Sequence, residues 1–349
     1  MRLLAAIFAL ASLLTAANPA VVRDWEKNPV VVQIDTTADI FAVGDAHSDY
    51  VRLTRALDAA GIIAGRPDRP EQARWRAGRA ILVSTGDMVD KGPRALDVLR
   101  LYQTLRVQAR GAGGDVVVLA GNHEAEFLAN PAAAKGAEFA RQLNAAEIGP
   151  ADVAACKGDM GAFLCSLPFA ARVNDWFFSH AGRSSGRTLS AIASDLRAGV
   201  EKDGFRTKEL VGPDSPLEGR PAPDGKQWFD SGFPAQDEKQ LLAAWTHTLG
   251  VAHIVQGHEP SDIPFADGIK RHHGEMFQRF GLLFFIDTGM SQGVDDSDGA
   301  VLHITQNGQE AVAMCPDGKN TVLWDAKSNQ DVGRAEVCGG VRIPAKTRE

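Results

Sequence analysis

The chain has 349 residues, 44% of them hydrophobic and 23% charged, with 37 basic side chains against 44 acidic ones. This length allows one large domain or two ordinary ones, and the composition excludes a disordered chain, a collagen-like repeat and a multi-span membrane protein. A formal charge of −7 with no long Lys/Arg run argues against binding nucleic acid by phosphate neutralisation.

Residues 1–17 (MRLLAAIFALASLLTAA) open with one charge, Arg2, and run apolar from Leu3 to Leu14. Small residues follow, with Thr15 and Ala17 at the −3 and −1 positions of a signal-peptide cleavage site. As a helix the apolar run spans about 18 Å, short of a bilayer core of about 30 Å, which argues against a retained anchor. No Cys at the site disfavours a lipoprotein. The expectation is an exported chain, periplasmic or secreted, with no stable membrane insertion after cleavage. In an oxidising compartment the four cysteines favour disulfides. Three connectivities are open, and the sequence-local pairs Cys156 with Cys165 and Cys315 with Cys338 are preferred.

Residues 18–37 read as an extended lead-in. A catalytic domain is expected over 38–315. Its apolar runs at 39–43, 79–85, 115–119, 175–179, 252–256 and 282–286 read as strands, and two more are expected at 299–305 and 310–314. Helical spacing falls at 50–60, 94–110, 188–201 and 236–249, with further helices before about 148. Residues 65–78 read as an exposed loop, 203–235 as a Gly/Pro/Asp-rich insertion, and 316–349 as a polar tail. Strands alternating with helices indicate an α/β chain with a late run of strands.

Successive strands end in Gly-flanked turns carrying metal-capable side chains: Asp45 and His47, Asp87, Asn122 and His123, His180, and His258. Ligands of open α/β sheets bind beyond the carboxyl ends of the strands, so these side chains have a route to one site. Asp, His and Asn without Cys suit Mn, Fe or Zn, and a carboxylate such as Asp87 is able to bridge two of them. A pair of metals clamps the oxygens of a phosphoryl displacement and activates water near neutral pH. Singly, each residue is better read as a turn, a cap or a structural hydrogen-bonder; the repetition carries the information.

In order, GDAHSD (44–49), GDMVDKGP (86–93), GNHE (121–124), HAG (180–182) and GHEP (257–260) resemble the calcineurin-like metallophosphoesterases. GDMVDKG and GNHE resemble the phosphoprotein phosphatase branch, and GPDSPL (212–217) and IDTGMS (286–291) the bacterial-type Shewanella-like phosphatases. The resemblance implies a four-layer αββα sandwich with two mixed sheets and a dinuclear centre. It implies Asp45, His47 and Asp87 on one metal, and Asp87, Asn122, His180 and His258 on the other. His123 would be the general acid, oriented by Asp90, and hydroxide activated at the metals the nucleophile, with no phosphoenzyme. The substrate would be a phosphomonoester, either a phosphoprotein on Ser/Thr or Tyr or a small molecule.

Ser48 stands where the family usually has Gly, and Lys91 where it usually has a phosphate-clamping Arg; Lys supplies charge but no bidentate fork. Asn122 would also touch the phosphate, and Arg220 and Arg183 compete for the family's second phosphate-binding Arg. Two other readings compete. GRSSG (182–186) fits the GxSxG of serine hydrolases, with Ser184 as nucleophile. A non-catalytic metal-binding relative of the fold is the other.

Overall fold

The structure, a computed structural model, describes residues 23–220, 238–265, 268–305, 307–327 and 335–338. The expected signal segment and residues 221–235 of the expected insertion lie outside the described residues.

The chain begins with β1 (Val31–Ile34), β2 (Ile40–Val43), α1 (Tyr50–Ala59), β3 (Ile81–Ser84), α2 (Ala95–Gly111) and β4 (Asp115–Val118). Next come α3 (Asn122–Ala129), α4 (Ala137–Ala145), α5 (Pro150–Ala154), α6 (Gly158–Ser166), β5 (Ala170–Val173) and β6 (Trp176–Ser179). Helices α7 (Leu189–Asp203), α8 (Lys208–Val211) and α9 (Glu238–Leu249) precede β7 (His253–Gln256). A small hairpin, β8 (Ile263–Pro264) with β9 (Lys270–Arg271), leads to β10 (Glu275–Arg279) and β11 (Leu283–Phe285). The last strands are β12 (Val301–Ile304), β13 (Glu310–Met314), β14 (Asn320–Asp325) and β15 (Ala335–Val337).

These strands form two mixed sheets. One has the order β1-β5-β6-β7-β11-β10-β15 and the other β14-β13-β12-β2-β3-β4. The central strands read as unbroken apolar runs because both faces are covered. Successive side chains point to opposite faces, and this sorts them. Ile40, Ala42, Ile81, Val83, Val117, Phe178, Val255 and Phe284 meet in the seam between the sheets. Phe41, Val43, Leu82, Val116, Phe177, Ile254 and Phe285 face outward into the apolar layer that the helices complete. Burying one such Phe stabilises the fold by about 2–3 kcal/mol. The αββα sandwich is therefore present.

Several elements depart from the sequence reading. The lead-in carries β1, which pairs in parallel with β5. Residues 204–211, expected as loop, form a 3-10 turn at Gly204–Arg206 and the short helix α8, both packed on α3; Thr207 caps α8 by accepting from the Glu209 N–H. The expected tail supplies β14 to one sheet and β15 to the other. Both sequence-local disulfides are present, Cys156–Cys165 and Cys315–Cys338. No described helix is long and apolar enough to cross a membrane.

Candidate metal centre

Six strands deliver the site. The turns after β2, β3 and β4 come from one sheet, and those after β6, β7 and β11 from the other. Their tight geometry is visible in the backbone. Among the described residues, twelve non-glycines have positive φ, and six of these are His47, Ser48, Asp87, Asp90, Lys91 and His258. Such conformations cost about 1 kcal/mol or more each and persist where surrounding contacts fix them. Ser48, at φ 63°, adopts the left-handed conformation that a glycine would take freely. Glycine is required at 121 and 257 for space: a Cβ there would collide with the carboxylates of Asp87 and Asp45.

Asp87 is the hub. His47 Nε2 lies 3.5 Å and His123 Nε2 3.8 Å from its Oδ2, and His180 Nε2 lies 3.3 Å from its Oδ1. The potential ligand atoms of His47, Asp87 and His123 lie within 4.8 Å of one another, as do those of Asp87, His180 and His258. His123 lies beside His47 and Asp87 in the first group. Asp45 is buried alongside, its carboxylate accepting from the His258 backbone N–H at 3.0 Å.

Hydrogen bonds fix which nitrogens face inward. His47 Nδ1 donates to the Val89 carbonyl (3.1 Å) and His180 Nδ1 to the Thr85 carbonyl (2.9 Å), leaving both Nε2 lone pairs toward Asp87. His180 Nε2 also lies 3.1 Å from Asn122 Oδ1 and 3.1 Å from His258 Nδ1. The Asn122 amide is oriented by Nδ2, which donates to Glu218 Oε1 at 2.9 Å. Acceptors facing acceptors in a dry site need a positive charge between them. The donor set fits divalent cations, and burial supports the required protonation states. Burial pushes His47 down to about 3 and His258 well below the ordinary histidine range, so both rings offer lone pairs at neutral pH. Burial, with Asp287 and Asp87 nearby, raises Asp45 well above the carboxylate range. Burial would raise Asp87 too, but the imidazoles of His180 and His123 hold it well below that range. Burial opposes charge on His180, while the neighbouring Asp87 draws its pKa upward.

His123 Nδ1 is 2.8 Å from Asp90 Oδ2, which turns its Nε2 toward the cluster. A cavity of about 400 Å³ opens beside His123 and Asp90, lined by Phe127, Ala133 and Val211 with Lys135 in its wall. A larger one, about 760 Å³, flanks Lys91 on the other side, with Arg52, Arg55 and Arg94. Lys91 is exposed, and its charge acts on both Asp45 and His47. Arg220 pairs with Glu259 at 3.3 Å, and its charge helps depress His258. Arg183 is mostly buried, with Nη2 on Asp214 (2.7 Å) and Nε on Ser185 Oγ (3.1 Å). Ser184 is fully buried, and its hydroxyl has no hydrogen-bond partner among the described residues. Among the described residues no imidazole hydrogen-bonds it to take its proton, as a serine nucleophile needs.

Three acids were not singled out by the sequence reading. Glu124 accepts the backbone N–H groups of Asp87 (3.0 Å), Met88 (2.8 Å), Val89 (3.1 Å) and Gly121 (2.8 Å), tying two site turns together. Its position three residues after the glycine preceding α3 is a helix-start signal that could have exposed it. Asp287, at the end of β11, is pushed up to about 6 by burial; it follows a strand as Asp45 and Asp87 do. Glu218 has no comparable sequence signal.

The calcineurin-like phosphoesterase family model matches residues 38–262. The chain belongs to that family. This calcineurin-like phosphoesterase is 28% identical over 303 residues to an uncharacterized protein of Schizosaccharomyces pombe, covering 82% of this chain and 83% of that one. Over 85 residues, 24% of this chain and 20% of the relative, it is 33% identical to Shewanella-like protein phosphatase 2 of Arabidopsis thaliana. Among solved structures, a cold-active protein tyrosine phosphatase shares the fold with a TM-score of 0.66 at 22% identity, covering 88% of this chain and 85% of that one.

Proposed function

We propose that this phosphoesterase is a metal-dependent phosphomonoesterase with two cations sharing Asp87. The carrying observation is the convergence of His47, His180, His258 and Asn122 lone pairs around one buried carboxylate. His47 with Asp45 would hold one cation, and His180, His258 and Asn122 the other. Divalent cations held there supply Lewis acidity that lowers the pKa of water and offsets phosphoryl charge. The chain's own residues do the rest. His123 holds a proton at Nε2 for the leaving oxygen, while Asp90 fixes the ring through Nδ1. Lys91 and Arg220 draw the phosphate in, with the exposed half of Arg220 favouring it over the committed Arg183.

The leaving group departs on the His123 side, toward the cavity walled by Phe127, Ala133 and Val211. Apolar walls suit an aryl group, so a phosphotyrosine-type ester is favoured over phosphoserine. The apolar run at 1–17 and the two disulfides support export, periplasmic or secreted. N-terminal sequencing of protein recovered from outside the cytoplasm, beginning at Asn18, checks this.

The direct test is p-nitrophenyl phosphate hydrolysis by protein stripped of metal and then given Mn, Zn or Fe. Restored turnover that disappears in Asp87→Ala is expected. Folded, cation-loaded protein that hydrolyses neither this ester nor a phosphotyrosine peptide would favour a binding module instead.

A further inference from the structure

Three imidazoles of the cluster place their outer nitrogen on an acceptor. His47 uses the Val89 carbonyl, His180 the Thr85 carbonyl and His123 the Asp90 carboxylate. His258 is the exception. Its Nδ1 faces His180 Nε2 at 3.1 Å, so Nε2 is the outer nitrogen. That atom is buried and has no hydrogen-bond partner among the described residues. Glu218 Oε2 lies 3.9 Å from it, just beyond bonding distance. The other oxygen of the same carboxylate already accepts from Asn122 Nδ2.

We infer that Glu218 is a positioning residue for the second cation, its single carboxylate holding both the Asn122 amide and the His258 imidazole. The inference rests on the proposed two-cation reading of the site. Its chemistry is specific. When His258 binds through Nδ1, the ring proton must sit on Nε2, and a buried N–H without an acceptor costs about 1–3 kcal/mol. A carboxylate beyond that N–H raises the basicity of the ligand nitrogen and fixes the ring. The same anion keeps Asn122 Oδ1, rather than its amide nitrogen, turned toward His180. Glu218 is well placed for this. Ser215 Oγ accepts from the backbone N–H groups of Leu217 (3.2 Å) and Glu218 (3.0 Å), and donates to the Leu210 carbonyl (2.6 Å). This stapled turn presents Glu218 to the cluster, while Arg220 two residues on pairs with Glu259.

The test compares the full-length mature protein with Glu218→Ala and Glu218→Gln. Mn²⁺ binding is measured by equilibrium dialysis with metal analysis, and Co²⁺ spectra report each cation's surroundings. Unfolding temperature in chelator reports any structural role. One of two cations should bind 10–100-fold more weakly in Glu218→Ala, with its Co²⁺ bands shifted and the other cation unaffected. Glu218→Gln should fall between, since its amide oxygen still accepts from one N–H. Unchanged affinity for both cations in Glu218→Ala overturns the inference while leaving the two-cation reading intact. Weaker binding that tracks a lower unfolding temperature in chelator overturns it as well. Native protein that binds no cation defeats both.

Discussion

The seam between the sheets and the cluster at the carboxyl ends of their strands are about equally dry, yet they are built from opposite chemistry. Phe178, Val255 and Phe284 in the seam and Asp87, His180 and His258 in the cluster are all buried. The seam is stable as it stands, because apolar groups gain by leaving water. The cluster gains nothing comparable: its acids are pushed up by burial or held down by neighbouring imidazoles, and its imidazoles face lone pairs. One region holds the fold. The other is held by it, and its donors suit a cation from outside the chain.

The largest expected contrast comes from removing groups at the centre. Asp87→Asn should abolish cation binding and lower kcat by about 10³-fold or more, while apolar packing and the circular dichroism spectrum stay native. His123→Ala should lower kcat by about 10²–10⁴-fold with both cations retained, which metal analysis beside turnover measures. In the seam the pattern should invert. Phe178→Ala should cost about 3–5 kcal/mol in denaturant unfolding, with kcat at saturating metal unchanged. A comparable loss of kcat would show that the two regions are not separable.

His253 sharpens the comparison, because it is a histidine in the seam. It stacks on Trp176 with ring centroids 3.9 Å apart and hydrogen-bonds the Gly281 carbonyl. Burial pushes its pKa down to about 4. The folded protein therefore binds fewer protons here than the unfolded chain between about pH 6.5 and 4. The contribution is fully present above about 6.5 and is lost as pH falls toward 4, by up to roughly 3 kcal/mol. Unfolding free energies at pH 7 and 4.5 should therefore differ less in His253→Phe than in the native chain.

The smallest effect has the most diagnostic sign. Asp45 has a raised folded pKa, so its stabilising contribution exists below about pH 4, where the unfolded group is also protonated, and is lost as pH rises through the folded value. At pH 7 Asp45→Asn should stabilise the cation-free protein, by about 2 °C in unfolding temperature per kcal/mol relieved. The same change should destabilise the loaded protein. Calorimetry with and without chelator reads both, and destabilisation in both states would contradict the picture of repelling buried acids.

The central strands were legible because burial on both faces leaves long apolar runs, as at 81–84 and 115–118. So were the ligand types at their ends. The strands β1, β5, β10, β14 and β15 were not. Several lie toward sheet edges, where polar residues such as Gln33 and Glu275 break the pattern. Glu124, Asp287 and Glu218 escaped assignment for another reason. Their roles lie in which amide or imidazole each meets, and that is decided by turns brought together from separate strands. Glu218 is 96 residues from Asn122 in sequence, and nothing local to either announces the contact.

Strands β14 and β15 give the sandwich an order of completion. Each closes a different sheet, and Cys315–Cys338 ties the two together across the seam. A nascent chain that has passed His258 but not reached residue 320 lacks an outer strand on both sheets, even though every proposed cation ligand has already been synthesised. Catalytic parts emerge first and the clasp last, so the final steps of maturation should be oxidative closure of a largely assembled body, and a reductant added during synthesis should trap chains that are complete in sequence but open at one edge.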